Sequence, residues 1–316
     1  MTEPWSGQGL PPAAAARMAE IRASGTWGSA LSTDEFAAIR STGFEPVGQV
    51  LGAAVYNVGY TGGYGCPSYS YFGSFSRFQP MMQVGYGQTA VSSSGGNAMY
   101  GPLVQTMYAA RRRAIDRMVA ECAALGGHGV VGVSLTIGQF PAGGLEFKAI
   151  GTAVRAPGAP PLRQPFTSDL SGQDFAKLIA DGVVPVGLVL GISIGARHDD
   201  WLTRGQSRWG AGNAEVTGYT DLVSSTRHDA RDELRRDVAR HGAEGVVIQR
   251  MDLRIGEREC PAQEGARDHT AEVTIIGTAI THFRRSERAA EQPSLAILSL
   301  DPQRRQAARV RLGQNR

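Results

Sequence analysis

The stretch GVVPVGLVLGISIG, Gly182–Gly195, decides the reading of this chain, because GFEPVGQVLGAAVYNVG at Gly43–Gly59 is written on the same plan. Pairing Gly43 with Gly182 brings Pro46 onto Pro185, Gly48 onto Gly187 and Gly52 onto Gly191 at one constant offset. The likeness continues downstream. GHGVVGVSL at Gly127–Leu135 answers AEGVVIQRM at Ala243–Met251, and FKAIGTAV at Phe147–Val154 answers VTIIGTAI at Val273–Ile280. Self-similarity over a long, fixed period points to a duplicated unit. The second strand is a nearly unbroken run of Val, Leu and Ile, which calls for cover on both faces. One face can be covered by the unit's own helix; the other needs the sister unit or another subunit.

Working outward, Pro11-Pro12 followed by AAAARMAEIRAS predicts a short helix. Ser32 with Glu35 three residues on is a capping-box pattern, and Ser171 with Asp174 repeats it, so each unit opens on a short helix that ends at Gly43 or Gly182. A longer amphipathic helix follows in each. In the first, Ile115, Met118, Val119 and Cys122 form the apolar stripe and Arg111, Arg112, Arg113 and Arg117 fall outside it. In the second, Ala230, Leu234 and Val238 recur, with Asp232, Glu233, Arg235, Arg236 and Asp237 outside. Gly126–Gly127 and Gly242 supply the helix stops. Two strands then follow, Val130–Ile137 with Glu146–Val154 and Val246–Ile255 with Glu272–Thr281. Each unit therefore reads β, loop, α, β, β, and the expected class is α+β with a small antiparallel sheet and one long helix per unit.

The expected organisation is an extension at 1–32, a first unit at 33–155, a proline-rich linker at 156–170, a second unit at 171–283 and a basic tail at 284–316. Within the first unit lies a Gly/Ser-rich insertion, Tyr56–Pro102, that holds most of the tyrosines together with Met81, Met82 and Met99. Tyr, Phe and Met are what interface cores use, so this insertion reads as a protein-partner or assembly surface, as a surface loop, or as a weakly self-associating segment. Its central segment Thr61–Asn97 is expected to be dispensable to the fold, because the sister unit manages with a shorter connection.

The chain has 316 residues, 42% hydrophobic and 19% charged, enough for two cores. A formal net charge of +3 is too small to imply a nucleic-acid or membrane partner. The tail arginines Arg304, Arg305, Arg309 and Arg311 read as a solubilising end. Three distant cysteines, Cys66, Cys122 and Cys260, argue against a disulfide scaffold and for a reducing compartment. No signal peptide or spanning segment is legible, so a cytoplasmic location is expected. There is no G-x-S-x-G and no G-x-x-x-x-G-K, and the glycine-rich Gly59–Gly65 lacks a following Lys-Ser/Thr.

At PVGLVLG, HGAEGVVIQ and IIGTAI, and at the matching AALGGHGVVGVSL and FKAIGTAV, the chain resembles the YbjQ-like family, which carries a heavy-metal-binding label. The resemblance implies two tandem β-α-β-β copies, a ring-like and pentameric homo-oligomer, and a divalent metal ion as the candidate cofactor. It supplies no catalytic set. Two groups of residues could answer the metal label. His228 and Asp232 stand i, i+4 on one helix, and His198 and Asp199 lie in the loop that feeds it. Glu257, Cys260 and His269 sit on one hairpin. The plainer alternative for the first group is solvated polar residues on a charged helix, and for the second a chance spacing that matches no established zinc pattern. A non-enzymatic oligomeric binding or scaffold module is the first expectation, a divalent-metal-binding protein the second, and an enzyme with its site at subunit junctions the third.

Overall fold

A computed structural model describes residues 5, 7, 9–57, 87–93, 100–140, 144–260 and 267–283. Most of the aromatic insertion, Cys66 and the basic tail lie outside the described residues. Helices α1 (Pro12–Ser24) and α2 (Thr33–Ser41) lead into β1 (Glu45–Asn57). The first half continues with β2 (Thr89–Val91), the long α3 (Gly101–Ala124), β3 (Gly129–Phe140) and β4 (Gly144–Arg155). The second half runs through β5 (Phe166–Thr167), α4 (Gly172–Ala180), β6 (Val183–His198), α5 (Trp201–Gln206), α6 (Thr217–Arg240), β7 (Gly245–Glu259) and β8 (Arg267–His282). The class is α+β, as the periodicities require.

Local signals act as their chemistry dictates. Ser32 accepts from the Glu35 amide while the Glu35 carboxylate accepts from the Ser32 amide at 2.8 Å, a complete capping box. The Ser171 hydroxyl accepts from the Asp174 amide in the same way. Gly43 and Gly182 end these helices at φ of 81° and 77°, left-handed geometry that a side chain resists.

The two sheets share an order for their long strands, β1-β4-β3 in one and β6-β8-β7 in the other. Their irregularities match as well, with register shifts at Pro46/Gly48 and Pro185/Gly187. A fourth strand differs between them. β5 joins β3 in parallel, so the first sheet is mixed rather than wholly antiparallel, and part of the expected linker is sheet. β2 joins the far edge of β6, and the Ser92 and Ser93 hydroxyls donate to Ser193 and Asp229. The insertion therefore contributes a strand to the second half, and deleting Thr61–Asn97 would remove that strand.

Layers follow from the side-chain alternation of β6. Val189 packs with Ala230, Leu234, Val273 and Ile275 beneath α6, whereas Leu188 and Leu190 pack with Ala114 and Met118 beneath α3. The order is first sheet, α3, second sheet, α6. The sister half supplies the second cover that the apolar run demands. Each long helix meets its strand at a glycine: a Cβ on Gly52 would stand 1.9 Å from the Ala114 carbonyl oxygen, and one on Gly191 would stand 2.1 Å from that of Ala230.

Four charged residues of the two long helices are buried or bonded inward, among them Arg111, Arg117 and Asp237, which the sequence placed outside the apolar stripes. Arg111 is buried, its guanidinium 5.4 Å from the Phe147 ring centroid. Asp237 is buried and accepts from the Leu190 amide at 2.9 Å; Glu121 does the same for the Leu51 amide at 2.8 Å. Arg117 turns back to donate to the Ala53 carbonyl. Burial pushes the Glu121 carboxyl above its ordinary range, against the Leu51 amide and Arg17, which favour the charged form.

The glycine seats predict a sharp steric response. Gly191→Ala should lower unfolding free energy by about 3 kcal/mol in urea titration, because α6 must lift off β6 to clear the new methyl. Gly138→Ala, whose Cβ would meet nothing closer than 3.7 Å, should change it by less than about 0.5 kcal/mol. Equal losses at the two sites would contradict this helix placement.

Candidate functional site

One end of the second sheet gathers two histidines, a cysteine and three acids: His198, His269, Cys260, Asp199, Asp268 and Glu257. β6 and β8 are antiparallel with Arg197 opposite His269 and His198 opposite Asp268, and β7 sets Glu257 opposite His269. Successive residues of a strand point to opposite faces, so His198 and Asp199 part company, as do Asp268 and His269. The result is two clusters separated by the sheet.

On the α3 face lie His198, Cys260 and Asp268, all buried, with their ligand atoms within 4.8 Å of one another. The His198 Nδ1 is 2.7 Å from the Asp268 Oδ1, and both residues are only 1% exposed. On the α6 face, the His269 Nδ1 is 3.1 Å from the Asp199 Oδ1, and the Tyr219 hydroxyl donates to the other Asp199 oxygen at 3.1 Å. The Tyr219 ring lies against the His269 ring at 4.5 Å between centroids. Burial, and then the nearby Asp199 charge, push the Tyr219 hydroxyl above its ordinary pKa. This second cluster borders a pocket of about 510 Å³ that Arg204, Arg208 and Arg267 also line. Glu257 faces the His269 Nε2 at 3.9 Å and pairs with Arg267.

The sequence-derived candidates are thus re-sorted. His198 and Cys260, assigned to different groups, come together; Asp199 and His269, also from different groups, form a dyad. His228 and Asp232 stand elsewhere. The His228 side chain is 72% exposed on α6 and meets Asp232 at 3.4 Å, while Arg235 holds the same carboxylate at 3.2 Å. Asp268 and Tyr219 were not singled out from sequence. Asp268 carries a legible signal, since it precedes His269 on a strand and must face the opposite side. Tyr219 has none, because helix packing brings it there.

Nitrogen, sulfur and oxygen donors from His198, Cys260 and Asp268 form the mixed set that a borderline divalent ion such as zinc takes, with three protein ligands leaving a fourth position. The donor chemistry and burial fit such an ion. Asp268 could ligate directly, or orient the His198 ring from behind. The Asp199–His269 pair is a different device, an imidazole whose tautomer a carboxylate fixes at the mouth of a pocket.

Residues 89–157, from β2 to just past β4, match a family model described as "Putative heavy-metal-binding". Over 278 residues the chain is 31% identical to the encapsulin nanocompartment protein Rv1762c of Mycobacterium tuberculosis, covering 86% of this chain and 91% of that one. The chain belongs to this protein's family. Both clusters lie outside the stretch matched by the heavy-metal model, so that match does not bear on the donor residues of this family member. Among the described residues no helix is long and apolar enough to cross a membrane.

The two histidine settings make opposite predictions. His198→Ala strips a buried carboxylate of a partner and should cost about 3 kcal/mol of unfolding free energy. His228→Ala removes an exposed pair and should cost less than about 0.5 kcal/mol. Chemical denaturation of both variants checks this, and a costly His228→Ala would place α6 wrongly.

Proposed function

We propose that this chain is a non-enzymatic, self-assembling structural subunit of an encapsulin-type nanocompartment system, built from two tandem YbjQ-like copies that form a closed ring. The observation that carries this is the 31% identity running over most of both chains to a relative named as an encapsulin nanocompartment protein. The surface supports it. Trp201, Leu202 and Trp209 are exposed beside the site, and Ile248, Met251 and Ile255 are exposed along β7. Tryptophan and large aliphatic residues are what association buries. The YbjQ resemblance suggests five subunits. Mass measurement of the full chain in solution at micromolar concentration tests the proposal: a discrete oligomer is expected, and a monomer would overturn it.

A second reading is favoured by one specific observation, the convergence of three buried donors at His198, Cys260 and Asp268. In this reading the subunit also binds a divalent heavy-metal ion. The chain purified without an affinity tag should carry close to one zinc-like ion by elemental analysis. Cys260→Ser and Asp268→Asn should each lose it, and His228→Ala should keep it. Occupancy far below one, with no uptake on titration, would remove the metal reading and leave the assembly reading intact.

A further inference from the structure

The junction between the two halves uses two surfaces, and each has a counterpart left exposed. At the junction, β5 and the residues after it add to the outer edge of β3. Gly129 pairs with Phe166 and Val130 with Thr167, the Ser168 amide donates to the Val130 carbonyl at 2.9 Å, and the Val133 amide donates to the Ser168 carbonyl at 2.9 Å. The Phe166 ring fills the space above Gly129, where a Cβ would stand 2.3 Å from it.

The segment ahead of α2 has the same build as the segment ahead of α4. TWGSALS at Thr26–Ser32 stands against PFTSDLS at Pro165–Ser171. Trp27 stacks on Phe36 at 6.1 Å and 13°, as Phe166 stacks on Phe175 at 5.7 Å and 14°. Ser29 and Ala30 reach Thr152 as Ser168 and Asp169 reach Thr278. Yet Trp27–Ala30 is exposed where Phe166–Asp169 is largely buried.

The acceptor surface repeats in the same way. β7 corresponds to β3, with Gly245 in the place of Gly129. Among the described residues no strand pairs with the outer edge of β7, and the space above Gly245 holds only Ile280, at 3.4 Å or more from a Cβ. An aromatic segment and a glycine-opened strand edge, complementary to one another, are thus both exposed on one chain. They flank the junction between the halves from opposite sides, so a contact between them would join two chains rather than close within one.

We infer that the β7 edge, centred on Gly245–Gln249, receives the Trp27–Leu31 segment of a second copy of this chain as an added parallel strand, with the indole seated over Gly245. This inference rests on the assembly reading above and names the contact that makes it. A head-to-tail contact of this kind propagates to a closed ring or a filament. Strand addition supplies main-chain hydrogen bonds for affinity and a side-chain seat for register.

The test uses the full chain. In a Cys66→Ser background, Gly28→Cys with Val246→Cys should give a disulfide-linked ladder of dimers and higher species on oxidation, and neither single cysteine should. Gly245→Val, which fills the seat at ordinary contact distance from Ile280, should weaken association at least tenfold by mass measurement while leaving the thermal unfolding of the monomer unchanged. Hydrogen exchange at the Ile248 and Gln249 amides, counterparts of the bonded Gly132 and Val133 amides, should be slow in the oligomer and at least tenfold faster in Gly245→Val. An oligomer of unchanged mass with no ladder and fast exchange would overturn this inference and spare the assembly reading; a monomer would overturn both. Loss of amide protection in a chain ending at Phe283 would show that the protein's own tail, not a second copy, occupies the edge, and would also overturn it.

Discussion

The amides along the outer edge of β6 are the constraint on which the rest of this structure depends. A strand covered on both faces cannot turn its edge to water, and each buried amide left without an acceptor costs about 1–3 kcal/mol. The β6 edge is met by side chains before it is met by a strand. Leu188 donates to the Thr167 hydroxyl at 2.8 Å, Leu190 to the Asp237 carboxylate at 2.9 Å, Ile192 to the Tyr108 hydroxyl at 2.8 Å and Ile194 to the Ser92 hydroxyl at 3.2 Å. Only then does β2 take over, from Gly195 to Arg197. Tyr108 and Ser92 come from the first half and Thr167 from the crossing segment, so the second half's central strand is completed by its neighbour. Burial at this edge also pushes the Tyr108 hydroxyl up to about 12.

This explains which parts of the fold were legible in sequence. Glycine positions, capping pairs and the apolar run of β6 are local statements, and each has a local consequence: a helix end, a cap, a strand under two helices. The buried carboxylates Glu121 and Asp237 were not legible. Helical periodicity assigns charged residues at the flank of a stripe to water, and only the nearby strand edge, a tertiary feature, makes burial of a short acceptor favourable. The two-residue β5 and three-residue β2 carry no period at all. They exist because an edge needed a partner, which no window of sequence records.

The donor clusters show the same division. That His198, Asp199, Cys260 and His269 matter together is visible from their residue types, but which of them share a face is decided by register. β6 and β8 slip by one residue at Pro185/Gly187, and β7 and β8 slip at Ile248/Arg250. These residues all lie beyond the slips, so it is the alternation of neighbours along each strand that parts them. Grouping them by nearness in sequence therefore mixes the α3 face with the α6 face. The His228–Asp232 pair was legible as a helix pair and is one; its exposure follows from the side of α6 that β6 leaves uncovered.

That uncovered side also shows how the halves differ. α3 lays Tyr100, Val104 and Met107 against Ile192, Ile194 and Ala196, burying its outer face in the second sheet. At the matching places α6 carries Val216, Thr220 and Val223, followed by the exposed Ser224, Arg227 and His228. A polar outer face is what a terminal unit of a stacked array presents. The first half's helix is thus made for a neighbour on its outer side, and the second half's helix for water. The strand edge has not been altered in parallel: β7 keeps its glycine at the start and exposes Ile248, Met251 and Ile255. The two components of the junction are thereby separated: the outer face of α6 suits water rather than a further sheet, while the β7 edge, unpaired among the described residues, remains open to pairing.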